Sequence, residues 1–88
     1  MIKFQRITTK DATLYNYMEQ LMTASFPSEE YRPLEELRNY TDTKTHFYCN
    51  IILHHDTPVG FITYWDFGHF YYVEHFAIDP SLRNGGHG

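Results

Sequence analysis

Apolar and polar residues alternate along Ile2-Lys3-Phe4-Gln5-Arg6-Ile7, the two-residue period of a half-buried strand. The spacing then changes. Leu14, Met18, Leu21, Met22 and the Ser25-Phe26 pair recur at helical intervals. Thr8, Thr9 and Asp11 stand ahead of them as N-cap oxygens, and Pro27 ends the helix. Tyr31-Arg32-Pro33 leads into a second, shorter helix, with Pro33 in its first turn and Leu34, Leu37 and Tyr40 on its inner stripe. After Thr41-Asp42-Thr43-Lys44 the period returns to two, and His46 to Leu53 places Phe47, Cys49, Ile51 and Leu53 on one face. His55-Asp56-Thr57-Pro58 is a turn. Val59 to Phe67 is the next strand, in which Gly60 marks a bulge or a close approach. Gly68-His69 turns the chain again. Phe70 to Ile78 is apolar or aromatic on both faces, the composition of a central strand, and Asp79-Pro80 stops it.

The predicted order is therefore β-α-α-β-β-β, an α+β arrangement of two helices on a largely antiparallel, mixed sheet. Residues 1-88 make one domain, without repeat or linker, and a chain of this length is only marginally stable. Its ending is unusual. Arg83-Asn84-Gly85-Gly86-His87-Gly88 carries three glycines, and such a turn after a strand ordinarily opens into a helix. The architecture reads as interrupted.

Composition narrows the partners. Eight Tyr and seven Phe supply a packed core rather than a disordered segment. The formal charge is −4 and no Lys/Arg cluster is present, which argues against nucleic acid and weakly favours a cationic acceptor. No apolar run is long enough for a membrane span, and the polar N-terminus does not resemble a signal peptide. Cys49 is the single cysteine, expected as a buried hydrophobe, and its isolation suits a reducing, cytoplasmic setting. His54 and His55 are adjacent and point to opposite faces, while His46, His69 and His87 lack ligand spacing, so no metal site is expected.

The segment from Val73 to Gly88 carries the chemistry. Ala77-Ile78-Asp79-Pro80 ends a strand and runs into Arg83-x-x-Gly86-x-Gly88. This resembles the acetyl-CoA signature of the GNAT superfamily of N-acetyltransferases, [Arg/Gln]-x-x-Gly-x-[Gly/Ala] after an apolar-Asp/His-Pro turn. The element order resembles the N-terminal half of that fold over the whole chain, which then stops inside the pyrophosphate loop. Phe26 to Pro33 also resembles the link between the first two helices in some bacterial members. The loop chemistry fits on its own terms. Successive N–H groups in a tight turn form an anion nest, and glycines let the backbone approach a diphosphate.

By resemblance, acetyl-CoA would be held by Arg83, Asn84, Gly85, Gly86, His87 and Gly88. Its pantetheine arm would pair with the strand edge at Phe76, Ala77 and Ile78, with Phe76 and Ile78 offering main-chain groups. An amine acceptor would lie near Glu29, Glu30 and Tyr31 in the inter-helix link. The amine must lose a proton before attack, and Glu74 is the candidate base. Alternation puts Glu74 on one face with Phe76 and Ile78, and His75 on the opposite one. The second half of the family fold, which often supplies the tyrosine that protonates the leaving thiolate, is not in this sequence, so the 88 residues alone are expected to be inactive. A competing expectation is a non-catalytic domain that forms a homodimer, or takes a partner, through its exposed sheet edge.

Overall fold

The period-two segments become strands and the period-3.6 segments become helices. The computed structural model describes residues 1–83, with side chains through Ser81. In chain order it contains β1 (Ile2–Arg6), α1 (Ala12–Ser25), a single 3-10 turn (Ser28–Glu30), α2 (Leu34–Thr43), β2 (Phe47–His54), β3 (Thr57–Asp66), β4 (Tyr71–Ile78) and the short α3 (Pro80–Arg83). The strands form one sheet in the order β1-β2-β3-β4, and each described neighbour pair is antiparallel. The expected β-α-α-β-β-β order is thus present.

One face of the sheet carries the core. Phe47, Cys49, Ile51 and Leu53 of β2 pack with Phe61 of β3 and Ala77 of β4 against Tyr15, Met18, Leu21 and Met22 of α1 and Leu37 of α2. The α1 stripe holds at Met18, Leu21 and Met22, but at its start Tyr15 is buried and Leu14 only flanks the core. On α2, Thr41 is buried rather than Tyr40, because its hydroxyl donates to the Leu37 carbonyl at 2.8 Å and so needs no water. Cys49 is buried in this core, and burial pushes its thiol up to about 12, with the Glu19 charge adding to the shift.

Capping is less direct than the sequence suggests. Asp11 is the N-cap residue of α1, but its carboxylate accepts from the Thr8 N–H at 2.9 Å instead of from the helix. Asp42 ties the β1–α1 loop to the end of α2, accepting from the Thr9 N–H at 2.9 Å and from its hydroxyl at 2.5 Å. Those two bonds, the hydroxyl first, hold the Asp42 carboxyl below its ordinary range. The β2–β3 turn is tighter than expected. His54 pairs with Thr57, leaving only His55 and Asp56, at φ 51° and 65°, between the strands. Positive φ at both central residues is the type I′ geometry that matches strand twist.

Two irregularities shape the sheet. The first skips a residue of β3 between the Leu53↔Pro58 and Ile52↔Gly60 pairs. Beside it, a Cβ on Gly60 would stand 2.4 Å from the Ala77 carbonyl oxygen, so the expected close approach is real and involves the signature strand. The second lies on β4.

Candidate active site

On β4 the register jumps. Thr63 pairs with His75, but the next residue, Tyr64, pairs with Val73, so Glu74 is an extra residue without an opposite number. This is a β-bulge, and it cancels the alternation on which the sequence expectation relied. Ala77 pairs with Phe61 and His75 with buried Thr63, so both face the helices. Glu74 also reaches the helical side, toward Arg32 and Trp65. Phe76 and Ile78 fall on the far face, opposite Ile62 and Gly60. The expectation that Glu74 shares a face with Phe76 and Ile78, and opposes His75, is therefore corrected.

Glu74 and His75 meet the inter-helix link in one polar pocket of about 320 Å³. Its walls are Glu29, Glu30, Tyr31, Arg32, Tyr72, Glu74 and His75. The three link residues expected at an acceptor site thus lie beside the expected base. The 3-10 turn makes this possible, because it folds Ser28–Glu30 back toward β4 after Pro27.

The carboxylate of Glu74 is heavily engaged. Arg32 contacts it with two nitrogens, Nη2 to Oε2 at 2.5 Å and Nε to Oε1 at 3.4 Å. The indole Nε1 of Trp65 donates to Oε2 at 2.7 Å. Only 12% of the Glu74 side chain is exposed. Arg32 is fixed in turn by Glu36 at 2.9 Å and by the Tyr40 ring, 4.5 Å from its guanidinium carbon. Burial alone would push the Arg32 guanidinium down, but its hydrogen bonds and charge interactions with Glu74 and Glu36 outweigh that and hold it above its ordinary value.

His75 is held differently. Its Nε2 lies 2.8 Å from the Glu30 carbonyl oxygen, and its ring meets Phe26 edge-on at 4.9 Å. Phe26 in turn lines a second cleft of about 370 Å³, together with Ala24, Ser25, Phe76, Ala77, Ile78 and Pro80. The Phe26–His75 contact therefore links the polar pocket to a more apolar cleft along β4.

That cleft borders a sheet edge. The Asp79 N–H donates to the Val59 carbonyl at 2.8 Å, so Asp79 turns its main chain toward β3. Main-chain groups on a strand alternate between its two sides. Ala77 and His75 accordingly point theirs at β3, and Phe76 and Ile78 point theirs outward. Among the described residues nothing pairs with this edge. An extended ligand with amide groups can add there as a further strand. Ala77, expected with Phe76 and Ile78, contributes a buried side chain and no outward main-chain group.

Past β4, Asp79 caps α3: its Oδ1 accepts from the Ser81 N–H at 3.0 Å and the Ser81 hydroxyl at 2.8 Å, with Pro80 opening the helix. Those bonds, with Tyr17 adding a smaller share, hold Asp79 below the ordinary carboxylate range. Burial pushes the Tyr17 hydroxyl up to about 12, helped by the charge of Asp79 and the hydrogen bond to it. Arg83 closes the described chain, and the expected phosphate residues Asn84, Gly85, Gly86, His87 and Gly88 lie outside the described residues. Arg32 and Trp65 are site residues that sequence reasoning missed. One signal was available. From Tyr72 to Ala77 polar groups occur at both parities, so no single parity reads as the core side.

The match to known proteins agrees with this geometry. A family model described as the acetyltransferase (GNAT) family matches residues 12–88. No curated protein matches the chain. A solved structure described as a GNAT-family acetyltransferase from Bacteroides thetaiotaomicron superposes with a TM-score of 0.92 at 62% identity. The match covers 96% of this chain and 48% of that one, so the present chain spans about half the length of its structural relative. Signature strand, element order and family match converge, and the chain belongs to the GNAT family of acetyltransferases.

Proposed function

We propose that this chain supplies the acetyl-CoA edge and the acceptor pocket of an N-acetyltransferase that moves an acetyl group from acetyl-CoA to an amine. The observation that carries the proposal is the outward-facing main chain of Phe76 and Ile78 beside the 370 Å³ cleft. Those groups match the spaced amides of a pantetheine arm, and a free N–H there is suited to steady the oxyanion of a thioester under attack. The loop from Arg83 to Gly88 would hold the pyrophosphate with its backbone N–H groups.

The acceptor enters through the polar pocket. Glu29, Glu30 and Tyr31 form its outer wall, and the fixed carboxylate of Glu74 gives its floor a negative charge that draws an ammonium inward. Once deprotonated, the amine nitrogen attacks the thioester carbonyl carbon. The C–N bond forms, the C–S bond breaks, and the sulfur leaves as the CoA thiolate. Glu74 was the expected base. With Arg32 and Trp65 on both its oxygens, we assign it instead to charge and orientation. The reducing cytoplasm is the compartment that fits a buried, lone thiol.

Calorimetric titration with acetyl-CoA tests the proposal. The chain should bind, and Phe76→Pro should abolish binding by deleting the outward N–H without touching the β3 ladder. Gly86→Glu should do the same by filling the phosphate loop. Absence of binding by the unaltered chain, or full binding by Phe76→Pro, would overturn it. A second reading is favoured by one observation: Ile2, Phe4, Val73 and Phe76 leave the far face of the sheet apolar and exposed. Self-association through that face or the β4 edge predicts a dimer in sedimentation that ignores acetyl-CoA.

A further inference from the structure

We infer that His75 is the catalytic residue that takes the proton from the acceptor amine, in a tautomer fixed by the main chain of the 3-10 turn. The inference rests on the acetyl-transfer reading above and assigns a role within its pocket.

The competing acceptor is already committed. A carboxylate has about four lone-pair sites, and three donors from Arg32 and Trp65 take three of those of Glu74, two of them from the cationic guanidinium. Taking a proton there neutralises the carboxylate and gives up its charge-assisted bonds to Arg32. His75 is in the opposite situation. A carbonyl oxygen only accepts, so the 2.8 Å contact with Glu30 requires a hydrogen on Nε2. In the neutral ring Nδ1 is then the bare acceptor. The ring's position is set by two independent constraints, the edge contact with Phe26 and the pairing of His75 opposite buried Thr63 on the helical side.

The proton balance closes. An N–H bond of the ammonium breaks, its electron pair stays on the amine nitrogen, and the proton moves to Nδ1. The imidazolium so formed keeps its Nε2–H bond to Glu30, now charge-assisted and stronger. The charged and titratable groups around it are Glu29, Glu30, Tyr31 and Arg32 from the link, with Tyr72 and Glu74 from β4. From α1 and its cap only the uncharged Phe26 meets the ring. Phe26 also places His75 next to the cleft along β4, where the thioester would lie.

The test is the tautomer of His75, read from long-range nitrogen–proton NMR spectra of the labelled chain, with the signal assigned through His75→Gln. A fixed Nε2–H tautomer supports the inference. An Nδ1–H tautomer, or the averaged signals of a free imidazole, overturns it. His75→Gln keeps an amide N–H for Glu30 but has no imine lone pair. In acetyl transfer to propylamine, assayed with the second half of the family fold supplied to both chains, it should retain acetyl-CoA affinity while kcat falls about 100-fold or more and the acidic limb of the pH profile disappears. A kcat within about threefold of the unaltered chain overturns the role. A chain with the fixed tautomer that does not bind acetyl-CoA at all contradicts the acetyl-transfer reading instead, and the tautomer result separates the two failures.

Discussion

β2 and β4 are both eight-residue strands of the same sheet, yet they serve different ends. β2 sits between two neighbours and skips no residue in its pairing, with Phe47, Cys49, Ile51 and Leu53 buried in the core and Asn50 and Ile52 buried on the other face. β4 has one described neighbour, inserts Glu74 as an extra residue, and leaves Tyr71, Tyr72, Val73 and Phe76 exposed. The regular strand holds the fold together. The irregular one collects the chemistry, because a bulge can aim two consecutive side chains at the same pocket while the main chain beyond it resumes its pairing.

The largest effect should come from breaking the regular strand. Phe47 is fully buried, and Phe47→Ala is expected to cost about 3–5 kcal/mol, enough to unfold a domain this small in a urea titration. Less severe is the loss of the bulge carboxylate. Glu74→Ala strands the half-buried Arg32 and the Trp65 N–H, and about 2 kcal/mol should be lost after allowing for partial solvent screening of the pair. If that variant matches the parent in thermal stability, the Arg32–Glu74–Trp65 cluster is not the structural clamp described above.

Thr63 sharpens the contrast in the other direction. Its hydroxyl is buried with no hydrogen-bond partner among the described residues, across the ladder from His75. Replacing it with Val removes that desolvated group at nearly constant shape, so stability should rise by up to about 1 kcal/mol. A loss of stability would mean that the hydroxyl does have a partner. The smallest effect concerns pH. Asp42 and Asp79 are both held below their ordinary range when folded. Their contribution is therefore complete above the unfolded value of about 4 and is lost as pH falls through the lower folded values. Urea midpoints measured from pH 6 down to pH 3 should drop in the last unit, and Thr9→Val should flatten Asp42's share of the drop.

Legibility followed the same division. The elements could be read from periodicity and turn residues, but their dry and wet faces less well. β1, expected half-buried, is exposed throughout, and Asn50 and Ile52 of β2 are buried on the face away from the helices. The family could be read from the Asp79-Pro80 turn and the glycines after it, which depend on local chemistry. The 3-10 turn at Ser28–Glu30 was not legible: a local bond from the Glu30 N–H to the Pro27 carbonyl closes it, and its contact with His75, 45 positions on, depends on the fold. Nor was the bulge. A single extra residue leaves only the mixed parity between Tyr72 and Ala77, and it moved Glu74 onto the face of His75 while His75, Phe76 and Ile78 kept their alternation. The partners of Glu74 followed from that error, because Arg32 is 42 positions away in sequence and only the fold brings it near.

The most direct test of the account is amide hydrogen exchange along β4, with and without acetyl-CoA. In the free chain the amides of His75 and Ala77 should be protected by β3, while those of Phe76 and Ile78 exchange freely. Acetyl-CoA should protect Phe76 and Ile78 and leave the other two unchanged. Phe76 and Ile78 amides that stay open to exchange while the ligand is bound would contradict the edge geometry on which the whole account depends.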